Sequence, residues 1–414
     1  MKKFFSFRFF FYDFFSRIAL FLVSCVIAST LTSCRKKENV PIAVQLVRSE
    51  MTRVPRSWQL DFKERIKWDY ASGVELAGIL AAADFYGIPE AEAYYMAYCD
   101  TMVNADGTIQ TYNPNEESLD RIHSAKLFFR AHELSGDDKY RRAMDLVYSQ
   151  FGHQPRNADG GFWHKRVYPH QMWLDGLYMG QPFRAQYLAT FASELGDSAV
   201  EAGLSDIVNQ FVTCSRHTFD PATGLFRHAY DESRTQLWAD SITGQSAHCW
   251  GRALGWFAMA LVDVMDWLPA DRQAPLDSIF RVVADGIVRW QDSESGLWHQ
   301  VVDQPAREGN YLESSCSAMF TYALLKGTRT GHLPESYLPC AERGYEGMLA
   351  HFVETDSTSG LVSLTQTCAV AGLGGKPYRS GTYEYYVGET IRSNDPKAIG
   401  PFLLACVEYD WRRK

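Results

Sequence analysis

The sequence predicts an all-α protein, an (α/α)6 barrel built from six helical hairpins. Two observations support this prediction. Apolar residues recur at helical spacing along most of the chain, and a glycine-led phrase recurs between pairs of predicted helices. In addition, no run of alternating apolar and polar residues is long enough to build a sheet.

Twelve segments carry apolar residues at spacings of three and four, the pattern of helices with one buried face. In chain order they are Trp68–Phe85, Ala91–Met102, Leu119–Leu134, Tyr140–Phe151, Leu177–Leu195, Ala199–Phe211, Trp250–Leu268, Leu276–Trp290, Ser314–Leu325, Ser336–Phe352, Thr382–Ile391 and Pro396–Val407.

The recurring phrases begin at Gly107, Gly161, Gly224, Gly296 and Gly360, with spacings of 54, 63, 72 and 64 residues. This length fits one helical hairpin and its loop, so twelve helices make six repeated units. An open solenoid would show a similar pattern. Because several phrases carry aromatic or histidine side chains, we expect them to converge as loops on one mouth of a closed ring.

The N-terminus has the pattern of an export signal. Four cations within residues 1–17 precede an apolar run, Ile18–Leu31, which ends in Leu-Thr-Ser-Cys34. This ending resembles the site at which bacterial lipoproteins are cut and lipidated on the cysteine. We therefore predict a signal peptide at 1–33, a tether at 34–58 and the barrel at 59–414. An uncleaved helical anchor is the alternative.

These features predict a location in the bacterial cell envelope, on the periplasmic or outer-membrane side, with the lipid on Cys34 as the sole membrane contact. Removing the four cations and one acid of residues 1–33 changes the formal charge from −8 to −11. Such a chain is not expected to bind nucleic acid. An anionic ligand would have to be held by cations placed locally.

The nine cysteines show neither a disulfide framework nor the ligand spacing of a zinc site, so no metal is predicted. Most are expected to be small buried residues.

The densest cluster of polar and aromatic residues is His170-Gln-Met-Trp-Leu-Asp-Gly-Leu-Tyr-Met, at the entry to a long predicted helix. Asp175 there could simply cap the helix. It is flanked by His170, Trp173 and Tyr178, however, and a carboxyl group partly desolvated among aromatic rings has a raised pKa and can donate a proton.

Asp120, in Ser118-Leu-Asp-Arg-Ile-His, is a second candidate acid at a helix start, where the helix dipole alone would favour it. Glycoside cleavage commonly uses two carboxyl groups that face one bond. Two such acids in adjacent hairpins are expected to face each other across the mouth.

A third cluster combines charge with flat rings. Trp250, Arg252 and Trp256 begin the seventh predicted helix, where the guanidinium between two indoles could clamp a uronate. The alternative is that both tryptophans are core and Arg252 pairs with a nearby acid. His228, in the Gly224 phrase, is either a structural residue or part of the same site.

Several of these motifs together resemble glycoside hydrolase family 105, the unsaturated rhamnogalacturonyl hydrolases, which are related to the family 88 unsaturated glucuronyl hydrolases. The motifs are Trp-Leu-Asp-Gly-Leu-Tyr-Met from Trp173, Trp-Gly-Arg-Ala-Leu-Gly-Trp from Trp250, Trp-Asp-Tyr-Ala-Ser-Gly-Val from Trp68, Gly-Thr-Tyr-Glu-Tyr-Tyr from Gly381 and the segment Asn394–Ala405.

The resemblance implies a reaction and a set of roles. Asp175 would protonate C4 of a terminal 4,5-unsaturated uronate and activate the water that adds at C5, after which the hemiketal opens and releases the neighbouring sugar. Asp120 would be the second acid. The sugar site would be lined by Trp173, His228, Trp250, Arg252, Trp256 and, less securely, His170. No metal or other cofactor is implied, and the partner is an unsaturated acidic oligosaccharide.

Three alternatives stay open at this point. The leaving sugar could come from glycosaminoglycan or ulvan, which would make the protein an unsaturated glucuronyl hydrolase. Asp120 and Asp175 could instead be the separate base and acid of an ordinary inverting glycosidase. A glycan-binding lipoprotein without catalytic activity would also use the aromatic residues.

Overall fold

A computed structural model describes residues 40–414, and in this part of the chain helices dominate. The signal peptide and Cys34 lie outside the described residues. The helices are α1 (Ile42–Arg53), α2 (Tyr70–Tyr86), α3 (Pro89–Met102), α4 (Leu127–Ser135), α5 (Asp138–Ser149), α6 (Leu174–Thr190), α7 (Ala192–Leu195), α8 (Asp197–Thr218), α9 (Gly251–Met265), α10 (Ala270–Arg289), α11 (Ser314–Arg329), α12 (Leu338–His351), α13 (Tyr383–Val387) and α14 (Pro396–Trp411).

Short 3-10 turns and strands occupy the connections. The two 3-10 turns that matter for the site, Leu119–Arg121 and His123–Lys126, lead into α4. The strands form antiparallel pairs: β1 (Gln171–Trp173) with β4 (Ala229–Asp231), β2 (Phe219–Asp220) with β3 (Leu225–Phe226), β5 (Val353–Thr355) with β6 (Val362–Leu364), and β7 (Thr367–Cys368) with β8 (Ile391–Arg392).

Six helices form a closed inner ring. Helix α2 packs on α14, α14 on α11, α11 on α9, and α9 on α6, which meets the 3-10 turn before α4; that turn packs back on α2. Helices α1, α3, α5, α8, α10 and α12 surround this ring. The predicted (α/α)6 barrel is confirmed, and the open solenoid is excluded.

The two layers bury different fractions of their residues because inner helices are enclosed on all sides. In α9 every residue except Asp263 is buried, whereas α8, of 22 residues, buries mainly one stripe. Inner helices also approach closely: a Cβ on Gly78 of α2 would lie 2.4 Å from the carbonyl oxygen of Gly400 of α14. Close approach of these backbones therefore requires glycine.

The twelfth barrel helix is not the one that the sequence pattern predicted. Within the predicted helix Thr382–Ile391, only the short α13 is helical, and it ends at Gly388. The missing outer helix is α1, whose Ala43, Leu46 and Val47 are fully buried. The prediction of a tether over 34–58 is therefore wrong from Ile42 onward. An outer helix needs only a narrow apolar stripe, which is a weak signal.

The glycine-led phrases all follow outer helices, at the end of the barrel where the inner helices begin. In the first, third, fourth and fifth phrases the leading glycine has a positive φ, between 72° and 88°, and closes a tight turn. In the second phrase the turn glycine is Gly160, with φ 90°, and Gly161 follows it. This common geometry explains why the phrase recurs.

Two further findings concern residues 40–414 as a whole. No helix there is both long and apolar enough to cross a bilayer. The seven cysteines in this region are all buried and unbridged, as expected from their scattered positions.

Candidate active site

Asp175 lies in the first turn of α6 and does not cap this helix. The N-cap residue is Trp173, which provides no side-chain cap. Strand β1, paired with β4, places Trp173 opposite Ala229, and the Leu174 N–H donates to the His228 carbonyl at 3.1 Å. The Asp175 side chain is 13% exposed, and its Oδ2 has no aligned hydrogen-bond donor among the described residues. Oδ2 is itself buried against His228, so a ligand would reach the carboxyl group from the part of the side chain that stays exposed.

His228 is fully buried between Asp175 and Tyr386. Its Nε2 lies 3.2 Å from Asp175 Oδ2, a close approach without hydrogen-bond alignment, and its Nδ1 lies 2.7 Å from the Tyr386 hydroxyl. Burial, followed by neighbouring groups that include Asp175, raises the pKa of Tyr386, which therefore keeps its proton. A tyrosine O–H that donates to Nδ1 leaves the proton of a neutral imidazole on Nε2, facing Asp175.

Asp120 lies in the 3-10 turn before α4 and is held by two basic groups. Lys165 Nζ is 2.5 Å from Oδ2, and His164 Nε2 is 3.3 Å from Oδ1. Burial alone would raise the pKa of Asp120, but the charge of Lys165, joined by His164 only where that ring is protonated in acid, outweighs burial and lowers the pKa. Asp120 is therefore a carboxylate at neutral pH.

His164 lies between Asp120 and the ring of Trp173. Its ring is buried and stacks on Trp173, with centroids 4.6 Å apart and planes 9° apart. Burial lowers its pKa to about 4, against the opposing effects of Asp120 and, more weakly, Asp175. At neutral pH His164 is thus an uncharged imidazole. It can donate a hydrogen bond to the Asp120 carboxylate without placing a second positive charge beside it.

Asp120 lines a cavity of about 610 Å³ whose lining also includes Tyr70, Lys165 and Tyr168. Tyr168 is parallel to Trp173, with centroids 5.4 Å apart. Flat rings of this kind suit the apolar faces of sugars, and the volume exceeds what one monosaccharide needs. The cavity can therefore take an oligosaccharide end.

The structure separates the predicted site residues into two groups. Asp120, Asp175, Trp173 and His228 are brought together as predicted. His170 lies away from them: it is 47% exposed, and its Nδ1 is 3.5 Å from Glu232. Its ring packs on Trp163, with centroids 4.7 Å apart, and its φ of 63° lies in the left-handed region.

The two tryptophans of the third cluster support the site from within. Trp250 is buried, donates from Nε1 to Gln300 at 3.1 Å and packs 4.9 Å from the His228 ring. Trp256 is buried one turn deeper in α9 and stacks on Tyr178 with centroids 4.9 Å apart. Trp250 therefore packs against His228 in the wall of the site. The described contacts of Trp256 are with other residues of the barrel.

The expected uronate clamp at Arg252 is not supported. The side chain is almost fully buried: Nε donates to Ser315 Oγ at 2.8 Å, Nη2 donates to the Cys368 carbonyl, and Nη2 lies 3.5 Å from the Glu313 carboxylate. A guanidinium occupied in this way joins α9, α11 and β7, which is the structural alternative raised by the sequence.

Sequence reasoning missed His164, Lys165, Tyr168, Tyr386 and Tyr70 as site residues. One signal could have found His164. When the phrases are aligned on the turn glycine, His164 follows Gly160 at the same distance at which His228 follows Gly224. Two of the repeated loops therefore each place a histidine beside an acid, His164 beside Asp120 and His228 beside Asp175.

A barrel of helical hairpins whose mouth holds two carboxylates among stacked rings defines a glycoside hydrolase. The chain belongs to glycosyl hydrolase family 88, whose family model matches residues 42–412. It resembles a solved Clostridium acetobutylicum glycoside hydrolase from family 105, with 39% identity, coverage of 90% of this chain and 100% of that one, and a TM-score of 0.83. The resemblance predicted from the motifs is thus confirmed.

Two further relatives carry activities in their names. The unsaturated rhamnogalacturonyl hydrolase YesR of Bacillus subtilis is 29% identical over 285 residues, which cover 66% of this chain and 73% of YesR. The unsaturated glucuronyl hydrolase of Bacillus sp. GL1, responsible for the degradation of glycosaminoglycan, shares the fold, with a TM-score of 0.61, 14% identity and coverage of 89% and 95%.

Proposed function

We propose that this enzyme releases a terminal 4,5-unsaturated uronic acid from acidic oligosaccharides by hydration of the C4=C5 bond. The observation that carries the proposal is Asp175, a partly exposed carboxyl group whose Oδ2 is buried 3.2 Å from His228 Nε2, beside the packed rings of Trp173 and His228. The similarity to YesR favours unsaturated galacturonyl groups from rhamnogalacturonan. Unsaturated glucuronyl groups from ulvan or glycosaminoglycan are the alternative.

The chemistry needs one group that gives a proton and then takes one. Protonated Asp175 delivers its proton to C4, and positive charge develops at C5. The Asp175 carboxylate then removes a proton from the water that adds to C5. The resulting hemiketal opens to a keto-uronate, and the bond to the leaving sugar breaks. The net change is the consumption of one water molecule.

The neighbours of Asp175 fit this sequence of steps. Asp120, which stays ionised beside Lys165, adds negative charge near the developing cation and can accept hydrogen bonds from sugar hydroxyl groups. The Nε2 proton of His228 faces the Asp175 carboxylate. The ring of Tyr168, which lines the cavity and stacks on the buried Trp173, holds the sugar face and limits access of other water molecules.

The test follows the ultraviolet absorbance of the conjugated uronate in lyase digests of rhamnogalacturonan, ulvan and glycosaminoglycan, assayed in parallel. Loss of absorbance in one digest would establish the reaction and name the substrate class. Asp175→Asn should keep the fold and lose kcat by several orders of magnitude, because Asn can neither give nor take the proton. Near-normal turnover by this variant, or activity on saturated chains alone, would overturn the proposal.

We also propose that the enzyme acts from the cell envelope, held by a lipid on Cys34, on the strength of the N-terminal sequence pattern. Cys34→Ser should move the protein from the membrane fraction to the soluble fraction or leave an unprocessed precursor. Wild-type protein that is soluble and unlipidated would refute this location.

A further inference from the structure

The segment between β7 and α13 places a second guanidinium, Arg379, beside the aromatic wall of the site. Its charge lies 5.6 Å from the Tyr168 ring and 5.9 Å from the Trp173 ring, and its Nη2 donates to the Tyr168 hydroxyl at 2.8 Å. It also lies close enough to Tyr386 to counteract part of the rise in that residue's pKa. Arg379 therefore borders the same site as Asp175.

The backbone around Arg379 fixes its orientation. Nε donates to the Gly374 carbonyl at 2.9 Å, and Nη2 donates to the Leu373 carbonyl at 2.9 Å. Nη1 lies over Gly372, where a Cβ would come within 2.1 Å of it, so only glycine leaves this space open. An arginine held this firmly loses little further freedom when it binds a ligand.

Arg379 is a partly buried cation that lacks an anion. Among residues 40–414 it makes no ion pair, although the chain as a whole carries a net charge of −8. Three of the roughly five guanidinium N–H groups are used by two carbonyls and a hydroxyl. The two on Nη1 have no hydrogen-bond acceptor among the described residues. A partly desolvated charge with spare donors is suited to receive an anion from outside.

Two other cations of the site, Arg252 and Lys165, are already committed. Arg252 is enclosed by Ser315, Cys368 and Glu313, and Lys165 is paired with Asp120. Arg379 is thus the better candidate for the role that the sequence pattern had given to Arg252.

We propose that Arg379 binds an anionic group of the oligosaccharide through Nη1, either the carboxylate of the terminal uronate or a sulfate on the leaving sugar. This inference rests on the proposed function and deepens it, because it identifies what selects acidic substrates. Arg379 is a binding residue: it orients the sugar against Trp173 and takes no part in proton transfer.

The test measures affinity without turnover. In the Asp175→Asn background, quenching of tryptophan fluorescence gives Kd for an unsaturated, unsulfated disaccharide and for its uronate methyl ester, with and without Arg379→Gln. Loss of a charge-assisted hydrogen bond should weaken the acid about 10-fold to 100-fold and leave the ester unchanged. Lys376→Gln, which removes an exposed cation from the same segment, should change neither value.

A sulfated disaccharide distinguishes the two sources of the anion. If Arg379→Gln weakens only the sulfated ligand, the bound group is sulfate; if it weakens every free acid and spares the esters, the group is the carboxylate. Equal weakening of acid and ester, or no change in any ligand, would overturn the inference. Arg379→Lys, which keeps the charge but not the planar fork, should give intermediate affinity and serves if the Gln variant fails to fold.

Failure of this inference can be distinguished from failure of the proposed function. Failure of the wild type to hydrolyse any unsaturated digest would reject the reaction, whereas the difference in Kd between acid and ester reports on Arg379 alone.

Discussion

Replacement of Arg252 by methionine tests whether this residue serves the fold or the substrate. The change removes one member of a buried pair and leaves Glu313, which is fully buried, without its cation. Glu313 would keep its bonds from Ser315 Oγ, the Cys316 N–H and the Cys368 N–H. Because an uncompensated buried charge remains, the free energy of unfolding should fall by about 3–5 kcal/mol.

The assay combines urea unfolding with steady-state kinetics of the folded fraction. Arg252→Met should lower the urea midpoint strongly, while KM of the protein that remains folded changes little. The double variant Arg252→Met/Glu313→Gln removes the stranded charge and should recover part of the lost stability. The recovery is partial because the Cys316 and Cys368 N–H groups donate to different carboxylate oxygens, and the Gln amide can accept only one of these bonds.

The opposite pattern would refute this reasoning. If Arg252→Met unfolds within about 0.5 kcal/mol of the wild type but raises KM more than about 10-fold, the guanidinium contacts substrate and the sequence-based clamp was right. The structure would then have to open between α9 and β7 when the sugar binds.

Two further predictions concern the histidines of the site. The pKa of His164 falls from 6.5 to about 4 on burial, so between these values the unfolded chain binds a proton that the folded protein does not. Stability should therefore fall as pH falls from 6.5 to 4, by at most about 3 kcal/mol, and His164→Gln should flatten this part of the profile. Urea midpoints near pH 4.5 and near pH 7 measure it, and an unchanged slope in the variant would contradict it. Tyr386→Phe removes the 2.7 Å partner of His228 Nδ1 and should lower kcat about 10-fold through the orientation of that ring, with KM nearly constant. A change confined to KM would instead place the hydroxyl on the substrate.

The helical periodicity and the repeated glycine turns were enough to predict the barrel. An inner helix such as α9 is apolar on all sides, and its signal is strong. The outer helix α1 contributes only a narrow stripe and was mistaken for a tether. Short motifs at the helix entries also placed Asp120, Asp175, Trp173 and His228 in one region, because the inner helices of a hairpin barrel all begin at the same end.

The partners of these side chains could not be read from the sequence. Arg252 and Arg379 are both arginines near aromatic residues, and the sequence analysis singled out only Arg252, which lies between two tryptophans of one motif. Only the packing shows that Glu313 and the Cys368 carbonyl already occupy Arg252, whereas Arg379 keeps two free N–H groups. The residues of a motif are neighbours in the sequence. Glu313, which pairs with Arg252, lies in another hairpin, so the motif does not reveal it.

The sequence by itself thus determined the class of fold and the glycosidase family, and it predicted Asp175 as the central acid, because periodicity, turn geometry and local motifs are properties of short segments. Only the tertiary structure decided that α1 is the twelfth, outer helix, that His164 lies between Asp120 and Trp173, and that Arg252 is occupied whereas Arg379 keeps free N–H groups. Burial and ion pairing depend on residues up to hundreds of positions apart, so their energies are fixed only when the barrel has closed.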